Sequence, residues 1–473
     1  MNHLPLLWVF CGLLLPGVAA WPLASVLCRP GRTGCLPWLV AFPLGYGLLT
    51  AGLFLLNLLG GVRLGLGTGA GVLTGVLLGG LWARRKRAAH VLACGDKCIS
   101  SPLFTCGGAV MPRWARVALF VVIGLAAGLW AAHGVLALSR PLGVENIPGM
   151  GVWGYKALAL ADSGQIPWEV LGDRERPYLN QAYPLGYPLL LAWGHWCAGG
   201  FDDQAIALVP YLSGLLVFLM LAVMFYEAGL ALWLALSLSL APFSGEVLDY
   251  CVETLYAETT LLLFLVPGVW LVQRYLRERV ASDLWLGVLL LGMAAWIKQE
   301  GLFYLALILL WLAVDGWRRR QWRSLAGAAA VVSVLLVVPW ACCRWATGVP
   351  LYDFALGRPW AVGFRETWHV LGLGWRQGTA WMFLDLAASG GLWILAVALL
   401  VGRVVRSPQQ GSGTWFAGYA ALVPAAFFMS LYIFSVRELA WHLDSSLPRL
   451  LLVAGMCAMA LAADSHTPRQ NAG

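Results

Sequence analysis

Long apolar stretches separated by short polar connections occupy most of this 473-residue chain. Most of them are close to the about 20 residues that a helix needs to cross the hydrocarbon core of a bilayer. The pattern predicts thirteen membrane-spanning helices, near residues 4–28, 36–59, 64–83, 117–138, 203–226, 229–248, 254–273, 282–297, 301–317, 324–343, 382–402, 414–435 and 447–463. Residues 185–199 form a shorter, proline-interrupted apolar piece, which we predict to be a helix lying at the membrane interface.

Composition supports the same fold class. The chain is 60% hydrophobic and only 11% charged, whereas a soluble domain carries about 25% charged residues. We therefore predict an all-α polytopic membrane protein. The first apolar run lacks the basic start of a secretory signal and is predicted to be a retained helix, with a cleaved signal ending near Ala20 as the alternative.

Basic residues lie in short clusters between the apolar runs, so the net charge of +8 does not form the continuous basic face of a nucleic-acid-binding protein. Assigning the connections to alternating sides places 19 of the 31 Lys and Arg residues on one side and 12 on the other. The larger group lies in short loops, where positive charge marks the cytoplasmic side. This assignment places residues 145–196 outside and the segment after Ala463 inside.

The same pattern divides the chain into segments. We predict accessory membrane helices over 1–83, a cytoplasmic loop rich in basic and cysteine residues over 84–116, and a fourth membrane helix over 117–138. A catalytic membrane domain would follow over 139–464, including an outer loop over 139–200, with a cytoplasmic tail over 465–473.

The outer loop is longer and more polar than an ordinary helix connection. It supplies Glu145 as a candidate catalytic carboxylate and Lys156, Tyr183 and Tyr187 as candidate substrate-binding residues. Trp153 and Lys156 are three positions apart and share a helical face. The alternative for this pair is a membrane anchor, with the tryptophan buried and the lysine extending towards the lipid headgroups.

Four carboxylates follow within thirteen residues at another outer connection: Glu246, Asp249, Glu253 and Glu258. Carboxylates at the mouths of membrane helices are costly unless they face water, a cation or one another. Asp249 and Glu258 are candidate catalytic residues. The group also permits a divalent cation, although no metal ligand set can be assigned.

Two further outer segments combine charge with aromatic residues. Lys298 and Glu300 lie in a tight turn, where they could bind an anionic group or simply pair with each other. Arg437, His442 and Arg449 lie at the outer end of the last helix pair, and such side chains could bind a phosphate beside a sugar ring.

Five motifs occur in an order that resembles a known family: Trp153-Gly-Tyr-Lys-Ala157, Tyr183-Pro-Leu-Gly-Tyr-Pro-Leu-Leu190, Tyr256-Ala-Glu258, Lys298-Gln-Glu-Gly-Leu302 and Trp441-His-Leu-Asp-Ser-Ser-Leu-Pro-Arg449. Over roughly residues 139–464 the chain is similar to polytopic bacterial glycosyltransferases of the GT-C superfamily, akin to the protein-O-mannosyltransferase and aminoarabinose-transferase group. The resemblance implies a GT-C-like core with outer juxtamembrane helices, located in the bacterial cytoplasmic membrane with its active site on the extracytoplasmic side.

The resemblance also implies the chemistry, in which a sugar passes from a polyprenyl-phosphate donor to a lipid, glycan or protein acceptor. The first outer loop of such enzymes supplies an acidic catalytic residue, and a second acid near the next outer helix ends matches Glu258. Where relatives have Asp five residues before Trp153, this chain has Pro148, and Glu145 is the nearest substitute.

The predicted mechanism is an inverting displacement at the anomeric carbon. Glu145, or else Asp249 or Glu258, would accept the proton of the acceptor hydroxyl. Positive side chains would stabilise the leaving lipid phosphate, and Tyr183 and Tyr187 would border the sugar. These positive side chains are Lys298, Arg437, Arg449 and His442.

A transporter or flippase of lipid-linked saccharides is the main alternative function. It predicts charges buried at mid-membrane and broken helices in matching halves of the chain. A polymerase or ligase of surface polysaccharide, a transferase on another scaffold, is a second alternative.

Overall fold

The structure is a computed structural model, and it describes residues 4–28, 34–94, 112–139, 148–173, 183–243, 255–320, 322–332, 336–348, 416–420, 423–424 and 447–463. These residues form helices and connections and contain no strand. Seven of the helices are long and apolar enough to cross a membrane. An all-α, multi-pass membrane architecture follows, because helices satisfy their own backbone hydrogen bonds where lipid offers no partner.

The first four helices are α1 (Leu4–Leu27), α2 (Leu36–Gly60), α3 (Leu66–Cys94) and α4 (Arg113–Ser139). Helices α1, α2 and α3 pack on one another, whereas α4 packs on α8 and α9 later in the chain. The indole N–H of Trp193 in the central part of the chain donates to the carbonyl of Gly12 in α1, at 3.0 Å. These helices share one hydrophobic core with the rest of the protein, and their role as accessory helices stays a prediction.

Short helices connect α4 to the next long one. They are a π-helix (Pro148–Gly154), α5 (Tyr155–Ser163), α6 (Trp168–Gly172) and α7 (Gly186–Ala198). Helix α7 is the piece predicted to lie at the membrane interface, and its depth in the membrane stays a prediction. Its residues from Tyr187 to Trp193 are almost completely buried against α1, α2, α5 and α8. A helix that is apolar all round is stable only when it is buried all round or exposed to lipid, and here protein surrounds it.

The remaining helices are α8 (Asp203–Glu227), α9 (Leu232–Leu240, continued by a 3-10 turn at Ala241–Phe243), α10 (Glu258–Glu278), α11 (Ala281–Ile297), α12 (Gln299–Arg319), α13 (Trp322–Val332), α14 (Val338–Thr347) and α15 (Leu447–Ala463). Helix α10 is the centre of the assembly, since every residue from Glu258 to Leu276 is buried. It packs on α8, α11 and α15. Hence α10 is the scaffold from which neighbouring helix ends are positioned.

Several predicted boundaries differ from the helices. Helix α3 continues to Cys94, past the predicted end of the first segment at residue 83, because Arg and Lys are good helix formers and continue a helix beyond its apolar part. Helix α4 begins at Arg113, so the predicted loop over 84–116 overlaps a helix at each end. The run at 324–343 contains α13 and the start of α14, and residues 333–335 between them lie outside the described residues. The run at 382–402 lies outside the described residues, as does most of that at 414–435, and the number of thirteen spans stays a prediction.

Ion pairs divide the described helix ends into two groups. At one end Arg274 pairs with Asp283 at 3.2 Å, and Asp315 accepts from Arg279 and Arg319. At the other, Lys298 and Arg449 pair with Glu258; no ion pair among the described residues joins the two groups. An alternating membrane topology requires this separation. Which group faces the cytoplasm stays a prediction.

Candidate functional site

The last turn of α11 is the point where the site is assembled. Gly186 begins α7 and Gly301 lies in the first turn of α12, and both come so close to α11 that a side chain would collide with its backbone. A Cβ on Gly186 would overlap the carbonyl of Trp296, and one on Gly301 would overlap the carbonyl of Ala294. The glycines of two sequence motifs therefore hold the starts of α7 and α12 against the same helix end.

Lys298 lies between the two helices in an extended conformation, with φ −153° and ψ 151°. Its amide N–H donates to the carbonyl of Ala294 at 3.1 Å, and its own carbonyl accepts from the N–H of Gly301 at 3.0 Å. The residue thus ends α11 and caps α12 at once. Its backbone is fixed on both sides, which limits the directions in which the side chain can extend.

A strained turn brings Glu258 to the same place. Leu255 has φ +57°, a left-handed conformation that costs a branched L-residue on the order of 1 kcal/mol or more. It is completely buried, and the chain turns there into α10, whose first residue is Glu258. The hydroxyl of Tyr187 donates to the carbonyl of Tyr256 within this turn, at 3.4 Å. The carboxylate of Glu258 is thereby placed at the positive end of the helix dipole.

Four charged side chains meet here, and we name Glu258, Lys298, Glu300 and Arg449 the charged cluster. One oxygen of Glu258, Oε1, accepts from Lys298 Nζ and from Arg449 Nη1, each at 2.9 Å. Lys298 Nζ also lies 2.8 Å from Oε1 of Glu300. The cluster is therefore a continuous chain of alternating charges, built from three separate parts of the sequence.

The cluster is largely shielded from solvent. The side chain of Glu258 is 1% exposed and that of Lys298 is 6% exposed. Burial by itself lowers the pKa of Lys298, but the carboxylates of Glu258 and Glu300 outweigh burial and hold the pKa above its ordinary value. Lys298 is thus a fixed positive charge at neutral pH, which suits the binding of an anion rather than proton transfer.

Aromatic rings border the charged cluster on two sides. Arg449 Cζ lies 4.2 Å from the ring centroid of Tyr256, and Lys298 Nζ lies 5.9 Å from that of Tyr183. Trp153 adds a second layer, with its ring centroid 4.8 Å from that of Tyr183 and 5.3 Å from that of Tyr187. The charged cluster therefore combines cations that lie over aromatic faces with a further layer of buried rings, as in small-molecule sites that place a few polar groups among aromatic side chains.

Lys156 occupies a different position from the predicted membrane anchor. It is completely buried, and its Nζ lies 5.7 Å from the ring centroid of Trp153. The interpretation in which the lysine extends to the lipid headgroups is wrong, because α5 packs against α7 and encloses the side chain. Lys156 therefore belongs to the layer behind Tyr183 and Tyr187, joined to them through Trp153.

The structure brings six of the predicted site residues into one neighbourhood: Tyr183, Tyr187, Glu258, Lys298, Glu300 and Arg449. Glu145, Asp249, Arg437 and His442 lie outside the described residues, and their roles stay predictions. Tyr256 and Leu255 were missing from the predicted site. The only sequence signal for Tyr256 is its place in the motif Tyr256-Ala-Glu258. Nothing in the sequence indicates that Leu255 adopts a positive φ.

The donor and acceptor groups define what this arrangement can do. Glu258 Oε2 and Glu300 Oε2 are buried and have no hydrogen-bond partner among the described residues. Glu258 is bonded to two cations that stabilise its ionised form, which makes it a weak proton acceptor. No group of three or more metal-ligating side chains occurs in the described part of the chain. The cluster therefore provides fixed positive charges and hydrogen-bond acceptors next to aromatic rings.

The chain was compared with protein-family models, curated proteins and solved structures. No protein-family model matches the chain, and no curated protein or solved structure is significantly similar to it.

Proposed function

We propose that the protein is a membrane glycosyltransferase that takes a sugar from a polyprenyl-phosphate donor at the outer face of the bacterial cytoplasmic membrane. The observation that carries the proposal is the buried contact of Lys298 and Arg449 with Glu258, beside Tyr183 and Tyr256. Departure of a lipid phosphate leaves negative charge on its oxygens. Fixed cations in a site with little water stabilise such charge most effectively.

The proposal gives each charged residue a role that is compatible with the geometry. Lys298 and Arg449 would bind the phosphate, and Glu258 would hold both cations in position through one oxygen. Because two cations stabilise the ionised Glu258, the proposed general base is Glu145 or Asp249, two of the three candidates that the sequence predicts. The tyrosines would border the sugar, with Trp153 and Lys156 behind them.

The distribution of charge supports a transferase over a transporter. In α8, α10 and α12 the charged side chains lie near the helix ends, and the middle of each span is apolar. A transport pathway for a charged headgroup would place polar groups at the membrane midplane. The described helices instead carry their ionisable groups near their two ends, and at one of these ends a carrier lipid and a water-soluble acceptor could meet.

Transfer can be tested with purified protein in lipid nanodiscs and radiolabelled polyprenyl-phosphate sugars, following release of the lipid phosphate. Lys298→Gln should lower the rate by about 10²-fold, the usual effect of losing one group that stabilises developing negative charge. Lys298→Arg, which keeps the positive charge, should retain more activity than the glutamine variant. Lys86→Gln is the matched control, since Lys86 is an exposed lysine of α3.

The result also separates the alternatives. Movement of labelled lipid between the leaflets of vesicles without release of the lipid phosphate would favour the transporter. Equal transfer rates of the wild type and Lys298→Gln would show that the charged cluster does not contribute to the reaction.

A further inference from the structure

Lys298 is bonded to two carboxylates that differ in how firmly they are held. Glu258 is 1% exposed, begins α10, and accepts from Arg449 as well as Lys298. Glu300 is 16% exposed and lies in the first turn of α12. Lys298 is the only cation in the described part of the chain with which Glu300 pairs, through Oε1, while Oε2 is unpartnered. Glu300 is therefore the carboxylate that can leave Lys298 with less disturbance.

Charge balance makes this difference important. Within the charged cluster, the two cations and two carboxylates cancel. An arriving phosphate group would meet no net attraction from these four residues, and two carboxylates would repel it at close range. If Glu300 moves away from Lys298, the remaining three groups carry a net positive charge that can bind one anion.

We propose that Glu300 is a resident anion that occupies Lys298 in the empty site and is displaced by the phosphate of the lipid donor. The exchange lowers the affinity of the site for every phosphate by a similar factor. A free phosphate ion gains only the ion pair that Glu300 loses, whereas a lipid phosphate also gains the burial of its chain. Glu300 thus keeps the affinity for small anions low, and burial of the lipid chain compensates for the loss in the donor. This inference rests on the proposed function, because it takes the donor to be a phosphate.

Binding measurements on variants of Glu300, with one control variant, test the exchange. Glu300→Gln keeps a hydrogen-bond acceptor for Lys298 but removes the competing charge, and Glu300→Asp keeps the charge. Glu169→Gln is the matched control, because Glu169 is also a first-turn carboxylate and is exposed on α6. The probes are inorganic phosphate and farnesyl phosphate, added to protein in nanodiscs, with binding followed by calorimetry.

Glu300→Gln should bind inorganic phosphate about ten-fold more tightly than the wild type, which corresponds to the loss of one competing charge at the site. The gain for farnesyl phosphate should be similar, while Glu300→Asp and Glu169→Gln should stay close to the wild type. Unchanged or weaker phosphate binding by Glu300→Gln would overturn the proposal. So would failure of both Glu300→Gln and Glu300→Ala to fold, because a displaceable side chain cannot be essential for the fold.

The two proposals fail in different ways. If no polyprenyl-phosphate sugar is consumed but Glu300→Gln still binds phosphate more tightly, the transferase proposal fails and the exchange at Lys298 stands. If transfer occurs and phosphate affinity does not respond to Glu300→Gln, only the exchange is refuted.

Discussion

Replacing Glu258 by Gln should destabilise the protein as a whole, because this carboxylate joins α10 to α15 and to the turn between α11 and α12. The substitution preserves size and shape and removes one negative charge from a buried position. Two charge-assisted hydrogen bonds of 2.9 Å depend on that charge, one from Lys298 and one from Arg449. Both cations would remain in place with a neutral partner.

The magnitude can be worked from these contacts. A hydrogen bond to a charged group contributes about 1.5–3 kcal/mol, and removing one partner of a buried ion pair costs about 3–5 kcal/mol. Two features of the cluster reduce the loss. Lys298 keeps its contact with Glu300, and the Arg449 side chain is 16% exposed and can recover some hydration. We therefore expect Glu258→Gln to lower the free energy of unfolding by about 3 kcal/mol, at the lower end of that range.

Thermal unfolding in detergent, followed by tryptophan fluorescence, is a suitable assay because the chain contains 26 Trp residues. A loss of about 3 kcal/mol corresponds to a fall in Tm on the order of 5–10 °C in a domain of moderate size. All variants must be heated at the same rate, since unfolding of a membrane protein is commonly irreversible.

Glu278→Gln provides the control on the same helix. Glu278 lies at the other end of α10, is 33% exposed, and pairs with Arg274 and Arg277. Exposed pairs of this kind contribute about 0–1 kcal/mol, so the control should change Tm little. If Glu258→Gln lowers Tm no more than Glu278→Gln does, the charged cluster does not hold the helices together, and the reasoning from its geometry is refuted.

Two further predictions concern backbone contact and pH. Gly301→Ala should lower Tm and reduce transfer by more than about 10-fold, because the new Cβ displaces the start of α12 from Ala294. Gly75→Ala is the control, since Gly75 lies on an open face of α3, and it should change neither Tm nor transfer. Equal behaviour of the two variants would contradict the close contact at Gly301. Burial lowers the pKa of His195 to about 4, although Asp202 and Asp162 oppose this shift in part. The pKa of a histidine in the unfolded chain is about 6.5, so between these two pH values the unfolded chain binds the proton more tightly. The free energy of unfolding should therefore fall as pH drops from about 6.5 towards 4. In His195→Asn this acid-side fall in Tm should be smaller, and parallel Tm-against-pH curves would show that His195 is not responsible.

Much of the candidate site was readable from the sequence because its residues stand in short motifs at helix ends. Lys298 and Glu300 share a turn, and Glu258 opens a helix, so an alternating topology already places them on one side of the membrane. The roles of Gly186 and Gly301 could not be predicted from the sequence. Each is required by the backbone of another helix, and a sequence does not show which backbone comes close.

The burial of α7 and of Lys156 could not be predicted for a related reason. A short apolar helix and a Trp–Lys pair at helical spacing are equally suited to a membrane interface and to a protein interior. Only the positions of α1, α2 and α8 around α7 decide between the two. Tyr256 was missed because its importance lies in the cation above its ring, which comes from the far end of the chain.

The sequence by itself determined that this protein is helical and crosses the membrane several times, since apolar runs without backbone partners in lipid have no other stable form. It also predicted that Glu258, Lys298 and Arg449 share a side, and their contacts confirm this. The tertiary structure decided that Glu258 accepts from Lys298, 40 positions away, and from Arg449, 191 positions away. Such pairings depend on which helix ends meet in space, and that is set by the packing of whole helices rather than by any local pattern.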